Sequence, residues 1–417
     1  MKSYIRPICL LLASLLLWLL PVQSVGAADL PVGPDNRYKT ITAAVAAAKP
    51  GDRVLVQQGV YQERNILIDK PISLIGINNP VIDGNMKGEI LTIHSSRVLV
   101  KGFTFKNVEV SYTKDFAAIK VVESNYVKIE DNTILNAYFG IYLQRSDSCS
   151  ITNNVVRGEG KTETSSGNAI HLWYCDLARI ERNNVSGHRD GIYLEFVKQS
   201  TANNNISENN LRYGLHFMFS DGNIYRYNTF RKNGAGVAVM YTKNIIMEHN
   251  RFEQNWGSAA YGLLLKEISR STIAYNTFTR NTTGIYMEGS SKLDILKNEF
   301  NGNGWAVRLL SSCAEDTFRL NNFIGNTFDV ATNGNIQLNH FSGNYWDKYQ
   351  GYDLDKDKVG DVPYRPVSLY SMVVEKVPSS IMFMRSFIVD LMDAVEKVFP
   401  AFTPEKLMDD KPSMVKL

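Results

Sequence analysis

The sequence predicts an all-β protein: a right-handed parallel β-helix of about ten coils, with a short N-terminal cap helix and a C-terminal amphipathic helical tail. Three observations carry this. Short apolar runs recur after a small residue: "GIYLQ" at Gly140, "AIHLW" at Ala169, "GIYLE" at Gly191, "GLHFM" at Gly214, "GVAVM" at Gly236, "GLLLK" at Gly262, "GIYME" at Gly284 and "AVRLL" at Ala306. Most starts lie 22 or 23 residues apart. An asparagine stands eight residues before several of them, at Asn132, Asn183, Asn228, Asn276 and Asn298. Finally, the repeat stops near Phe341, and after Val377-Pro378 the apolar period changes to three and four.

Each element follows from local chemistry. Residues 1–28 read as a secretory signal peptide: Lys2 and Arg6, an apolar block over 8–20, then Val25-Gly26-Ala27-Ala28. That block is too short to span a membrane comfortably. The expected mature protein is soluble and exported, most simply into a bacterial periplasm. Residues 29–53 form the N-terminal cap, with Thr40 or Thr42 capping an Ala-rich helix that ends before Pro50-Gly51.

The coils run over 54–345. A 22-residue unit cannot bury its own apolar face, whereas stacked units pair strand on strand. Asparagine repeated at one corner can form an amide ladder that bonds the bend. Residues 346–378, turn-rich and aromatic, form the C-terminal cap. Residues 379–417 form the tail, with a helix over 380–399 and a second starting at Thr403-Pro404. Its apolar stripe offers Met384, Phe387, Ile388, Leu391, Met392 and Val395 for docking, either to the end of the rod or to a partner protein.

The bulk numbers narrow the function. Net charge is +3 with no basic stripe, so nucleic acid is not an expected partner. Cys149, Cys175 and Cys313, the three cysteines outside the signal segment, read as small buried residues rather than a disulfide framework.

In each run the second and fourth positions after the small residue point outward. Read up the stack they give Tyr142/Gln144, His171/Trp173, Tyr193/Glu195, His216/Met218, Ala238/Met240, Leu264/Lys266, Tyr286/Glu288 and Arg308/Leu310. Met218 and Met240 become neighbours on adjacent strands about 5 Å apart. His216 shares their face, roughly 6.6 Å along the strand. Thioether plus imidazole is a soft donor set suited to Cu(I). His171, Trp173 and Glu195 are second-line candidates on the same wall. The competing reading of this row is an aromatic and Met-rich protein-docking face.

Other motifs are weaker. "GHRDG" at Gly187 reads as a solvated charge cluster in a turn. "DLDKDKVGD" puts Asp353, Asp355 and Asp357 at alternate positions, as oxygen-ligand calcium loops do, but Lys358 and Tyr364 exclude an EF-hand. A cap turn fixed by Asp side chains is the default there, with an irregular Ca2+ loop left open.

The coils, the start "YKTITAAVAAAKPGDRVLVQQGVY" and above all "GNYWDKYQGYDLDKDKVGDVPY" resemble the NosD family, the periplasmic β-helical component of nitrous oxide reductase maturation. The resemblance implies no enzyme activity of its own. It implies an ABC-type assembly of a membrane permease and a cytoplasmic ATPase, with membrane contact through the permease only. It also implies transient handling of copper, with or without sulfide, on the way to nitrous oxide reductase, by way of a copper chaperone lipoprotein. The ligand candidates come from the outward ladder and not from the family. Two alternatives are a β-helical polysaccharide lyase, epimerase or hydrolase, and a metal-free docking scaffold.

Overall fold

The structure, a computed structural model, describes residues 26–111, 113–257, 260–334, 338–384, 386–398 and 407–417. The signal segment up to residue 25 and the helix expected at Thr403-Pro404 lie outside the described residues.

Short β-branched segments separated by tight bends wind into three parallel walls. Among the described residues the first wall has 14 strands, from Asp29–Val32 to His340–Ser342; the second has 13, from Val60–Tyr61 to Tyr345–Trp346; the third has 12, from Ile66–Ile68 to Phe328–Ala331. Every strand pairs in parallel with its equivalent one coil away, as in Ile129↔Ile151↔Ile180. Fourteen rungs at about 4.8 Å make a rod roughly 60 Å long.

The expectation of about ten coils is therefore corrected upward. The extra rungs lie at the N-terminal end, before Asn132, where the ladder asparagine is missing. Asp29–Val32 already pairs with Arg53–Val56, so the N-terminal cap contains the first rung. Between them α1, Ile41–Ala47, begins at Thr40, whose Oγ1 accepts from Ala43 N at 3.2 Å. Its buried Ile41, Ala44 and Val45 close that end of the core.

The corner between first and second walls fixes the register. Ten asparagines, from Asn132 through Asn154, Asn183, Asn205, Asn228, Asn250, Asn276, Asn298 and Asn321 to Asn344, are stacked there, every one buried. Asn228 shows the pattern. Its Oδ1 accepts from Asn205 N (2.9 Å) and Nδ2 (3.0 Å). Its Nδ2 donates to Ala202 O (2.8 Å) and to Asn250 Oδ1 (2.9 Å). The residue before each ladder asparagine is left-handed, as at Arg182, Tyr227, His249 and Tyr275, with φ between 53° and 57°. A second ladder, not anticipated, runs through Asn210, Asn233, Asn255, Asn281, Asn303 and Asn326 at the corner of the second and third walls. Inside the rod Phe230, Phe252, Phe278, Phe300, Phe323 and Trp346 stack at 4.0–5.6 Å.

The C-terminal region departs from the expected tail. The cap segment contains an unanticipated helix, α2, Leu369–Lys376, with Ser368 as N-cap. A short 3-10 turn, Pro378–Phe383, leads to α3, Phe387–Val398. Residues 407–417 return to the rod as bridges rather than helix, Phe341↔Asp409 and Tyr345↔Ser413 among them. Asp409 ends the first ladder: its Oδ2 accepts from Asn344 N, Asn344 Nδ2 and Trp346 Nε1 at 2.9–3.1 Å. A polar terminator was needed there because the last amide of a stack has no next coil to bond.

Asn228→Ala removes four hydrogen bonds and leaves Asn205 N buried without its partner. It should destabilise the rod by about 3 kcal/mol. Because coils couple to their neighbours, hydrogen exchange should show the loss first in the strands flanking residue 228.

Candidate functional site

The outward face of the third wall carries two columns set by strand register. One runs Lys120, Tyr142, His171, Tyr193, His216, Ala238, Leu264, Tyr286, Arg308. The other runs Val122, Gln144, Trp173, Glu195, Met218, Met240, Lys266, Glu288. Met218 and Met240 are direct register partners.

The first column is a pile of rings. Tyr142, His171, Tyr193 and His216 follow one another with centroids 4.7 Å apart at each step. Cations close it at both ends: Lys120 sits 5.9 Å from the Tyr142 ring and Arg308 5.4 Å from Tyr286. This packing buries His216, which keeps only 4% of its surface although it points away from the core. The solvent-facing strand surface read from the sequence is thus a covered one. His216 also touches the Tyr213 ring at 4.8 Å, and both of its ring nitrogens are buried without hydrogen-bond partners. Burial, helped by the nearby Arg212 and Arg189 charges, pushes its pKa down to about 3. The imidazole is therefore neutral, with an unshared pair free for a metal at any ordinary pH.

Met218 and Met240 are half-buried beside it. Tyr193 Oη donates to Met218 Sδ at 3.6 Å. The pair lies in register between Glu195, whose carboxyl burial pushes upward, and Lys266, which is tied to Glu288 at 3.2 Å. Among the second-line residues, His171 has Nδ1 3.4 Å from Asn168 Nδ2, and burial first, then the Arg189 charge, holds its pKa near 3. The Trp173 ring packs under Arg145 at 5.5 Å and edge-on against Tyr174.

The sequence reading missed an aromatic strip beside the methionines, exposed at Tyr174, Phe219 and Tyr241 and half-buried at Phe196. Tyr174, Phe196, Phe219 and Tyr241 stack at 4.5–5.2 Å. Each follows an outward residue of the second column and is left-handed, with φ from 51° to 55°. The signal was legible: an aromatic five places after each small residue.

The GHRDG segment is not a solvated cluster. His188 and Asp190 are fully buried and Arg189 pairs with Asp190 at 3.5 Å, because the insertion at 158–167 folds back over this turn. Asp353, Asp355 and Asp357 bring carboxylate oxygens within 4.8 Å of one another. Their oxygens also take up the loop's own amides, Asp353 Oδ2 from Lys358 N at 2.9 Å and Asp357 Oδ1 from Val359 N at 2.7 Å. Cys149, Cys175 and Cys313 are buried free thiols.

On α3, Phe387, Ile388, Leu391 and Val395 are exposed, as is Met384 before it. Met392 turns inward with Val389, onto Phe328, Tyr370 and Val374. One helix thus has an anchored face and an open apolar face.

This geometry defines a parallel β-solenoid that displays a ring-and-thioether ladder on one wall. Several solved structures share this fold. They include a GH87 α-1,3-glucanase from Streptomyces thermodiastaticus (TM-score 0.61, 14% identity, 78% of this chain and 70% of the other). A family 28 exopolygalacturonase from Yersinia enterocolitica (0.59, 8%, 76% and 78%) and the A-module of an Azotobacter vinelandii mannuronan C-5 epimerase (0.53, 15%, 73% and 89%) are similar too. At such identities these show the fold alone.

Residues 152–351 match the family model described as periplasmic copper-binding protein (NosD). Two curated relatives are each named probable ABC transporter binding protein NosD. That of Pseudomonas aeruginosa is 28% identical over 369 residues, 84% of this chain and 85% of the relative. That of Stutzerimonas stutzeri is 27% identical over 376 residues, 85% of each. Over most of its length the chain is thus similar to NosD proteins.

The buried histidine gives an acid-stability test. The unfolded imidazole titrates near 6.5 and the folded one near 3, so as pH falls the unfolded chain takes up the proton first. The stability tied to neutral His216 is complete above about 6.5 and is lost on the way down, by about 1.4 kcal/mol per pH unit. Asp316 and Asp329, pushed up to about 7 and about 6 by burial, act in the opposite sense. The wild type is therefore compared with His216→Gln: urea unfolding between pH 7 and 4 should show a shallower acid loss in the variant.

Proposed function

We propose that this chain is the periplasmic, non-catalytic partner of an ABC-type assembly and that it carries Cu(I) transiently for maturation of nitrous oxide reductase. The family's description as periplasmic and copper-binding, and the relatives' names as transporter binding proteins, support the setting. Among the described residues no helix is long and apolar enough to cross a membrane. Contact with the bilayer in this reading comes only through the permease, docked by the open face of α3.

The observation that carries the copper reading is the pairing of Met218 with Met240 beside a neutral, unpartnered His216. Two thioethers and one imidazole match the softness of Cu(I) and suit Mg2+ or Ca2+ poorly. Without thiolates or carboxylates in the set, the ion stays exchangeable, as a carrier requires. Tyr193 must release the Met218 sulfur when copper enters. A copper chaperone lipoprotein would load the site and the reductase would draw from it, while ATP-driven motion of the permease alternates access.

The fold neighbours raise a sugar-processing alternative. Its chemistry needs paired carboxylates about 5–9.5 Å apart. Glu195 and Glu288, the outward acids of the second column, are separated by four rungs, roughly 19 Å.

Anaerobic Cu(I) titration of the mature chain against a competing chelator tests the proposal. We expect one ion per chain, with affinity more than about 100-fold weaker in the His216→Ala/Met218→Ala/Met240→Ala variant. Equal stoichiometry and affinity in the two would remove this site and favour the metal-free scaffold.

A further inference from the structure

Four outward positions of the third wall form a rectangle. His216 is the register partner of Ala238, and Met218 is that of Met240. The sides are about 4.8 Å between strands and roughly 6.6 Å along them. Three corners carry the soft donors of the proposed copper site, and the fourth carries only a methyl group. One rung further on, the same column carries Leu264. The column thus accepts a large side chain, and at 238 the sequence leaves it out. A Cu(I) ion held by His216, Met218 and Met240 would face a gap over Ala238 where a fourth donor could stand.

Ala238 is nevertheless buried, and so is Ala235, the register partner of Tyr213. A small outward side chain is buried only where larger neighbours close over it. Tyr213 stands next to both: its ring meets the His216 ring at 4.8 Å, tilted by 57°. Arg212 lies over that ring, its guanidinium carbon 4.5 Å from the centroid and its Nη2 3.5 Å from Tyr213 Oη. The backbone beneath is pinned. Arg212 N donates to Arg189 O at 2.8 Å, Tyr213 N to Asp190 Oδ1 at 3.2 Å, and Ala235 N to Arg212 O at 2.6 Å. Gly214 has no slack either, since a Cβ there would stand 2.6 Å from Gly236 O. Opening is therefore a rotation of side chains and not a movement of the loop. The closed state leaves both His216 nitrogens buried and unpartnered, which raises its energy and favours release of the imidazole to an ion.

We infer that the corner at Ala238 is the exchange position of the copper site, where a soft donor of another molecule meets the ion, and that Tyr213, steadied by Arg212, covers it while the site is empty. The inference rests on the copper reading of His216, Met218 and Met240 and adds how the ion enters and leaves. Three resident donors hold Cu(I), and a thioether, thiolate or imidazole arriving over Ala238 completes the set before one resident donor lets go. The cover keeps the neutral imidazole from other ions and reagents until its ring swings aside.

Two measurements on the mature chain test this. Copper-free wild type and Tyr213→Ala are treated with diethyl pyrocarbonate, which acylates neutral imidazole, and modification of His216 is followed by peptide mass. Cu(I) loading, and transfer to bicinchoninate, are timed in both and in Ala238→Met and Ala238→Leu. We expect His216 to react, and Cu(I) to load, at least about tenfold faster in Tyr213→Ala, with affinity equal or tighter, because a site open only part of the time binds more weakly by that fraction. Ala238→Met should bind Cu(I) at least about tenfold more tightly and release it more slowly, whereas Ala238→Leu, of similar bulk but without sulfur, should show no tightening. Damage to the fold would not tighten binding. Equal reactivity of His216 in wild type and Tyr213→Ala would overturn the cover, and equal affinity in Ala238→Met and Ala238→Leu would overturn the exchange position. If the wild type binds no Cu(I), the copper reading fails and this inference falls with it.

Discussion

Stacking of one buried amide upon the next is the interaction on which the rest of the molecule depends. Each coil turns its first corner through a left-handed residue, at a cost of about 1–2 kcal/mol per non-glycine position. The asparagine that follows offsets the cost, binding two donors of the coil before and one acceptor of the coil after. Since the side-chain period of a strand is two, a slip of one residue would turn every apolar side chain outward. The ladder makes such a slip impossible without stranding buried amides. Register over the whole rod is thereby fixed at one corner, and the outward columns inherit it.

That inheritance explains why much of the fold was legible. The small residue that opens each third-wall strand, the asparagine eight before it and the alternation between them are local signals, and all three follow from the geometry of one coil. The terminal rungs were less legible because their pairing partners supply what their own sequence lacks: Asp29–Val32 is a strand only because Arg53–Val56 lies beside it. The return of residues 407–417 is longer-range still. Nothing near Asp409 announces a ladder terminator, since its partners Asn344 and Trp346 lie more than 60 residues away.

The candidate site was half legible. Strand parity places Met218 beside Met240 and sets His216 on the same outward face. Parity says nothing about depth, and a face turned from the core is not necessarily wet. The Tyr193 ring stacked on His216 from the coil before, and the Tyr213 ring beside it, help to exclude water and leave the imidazole neutral, a property of neighbours and not of parity. The same limit applies to Asp190, read as solvated and found buried, and to Met392, whose helical stripe is right but whose side of the stripe faces the rod. Position in a pattern gives direction; only packing gives exposure.

In this account the solenoid works as a ruler: coil spacing sets donor spacing, and donors from separate rungs act together only because register is held elsewhere. X-ray absorption at the copper edge, on the mature chain loaded with Cu(I), tests this most directly. The account predicts sulfur in the first shell together with a nitrogen scatterer, and loss of half the sulfur signal on replacing either Met218 or Met240 by leucine. A first shell of only nitrogen and oxygen, or a sulfur signal indifferent to both replacements, would contradict it.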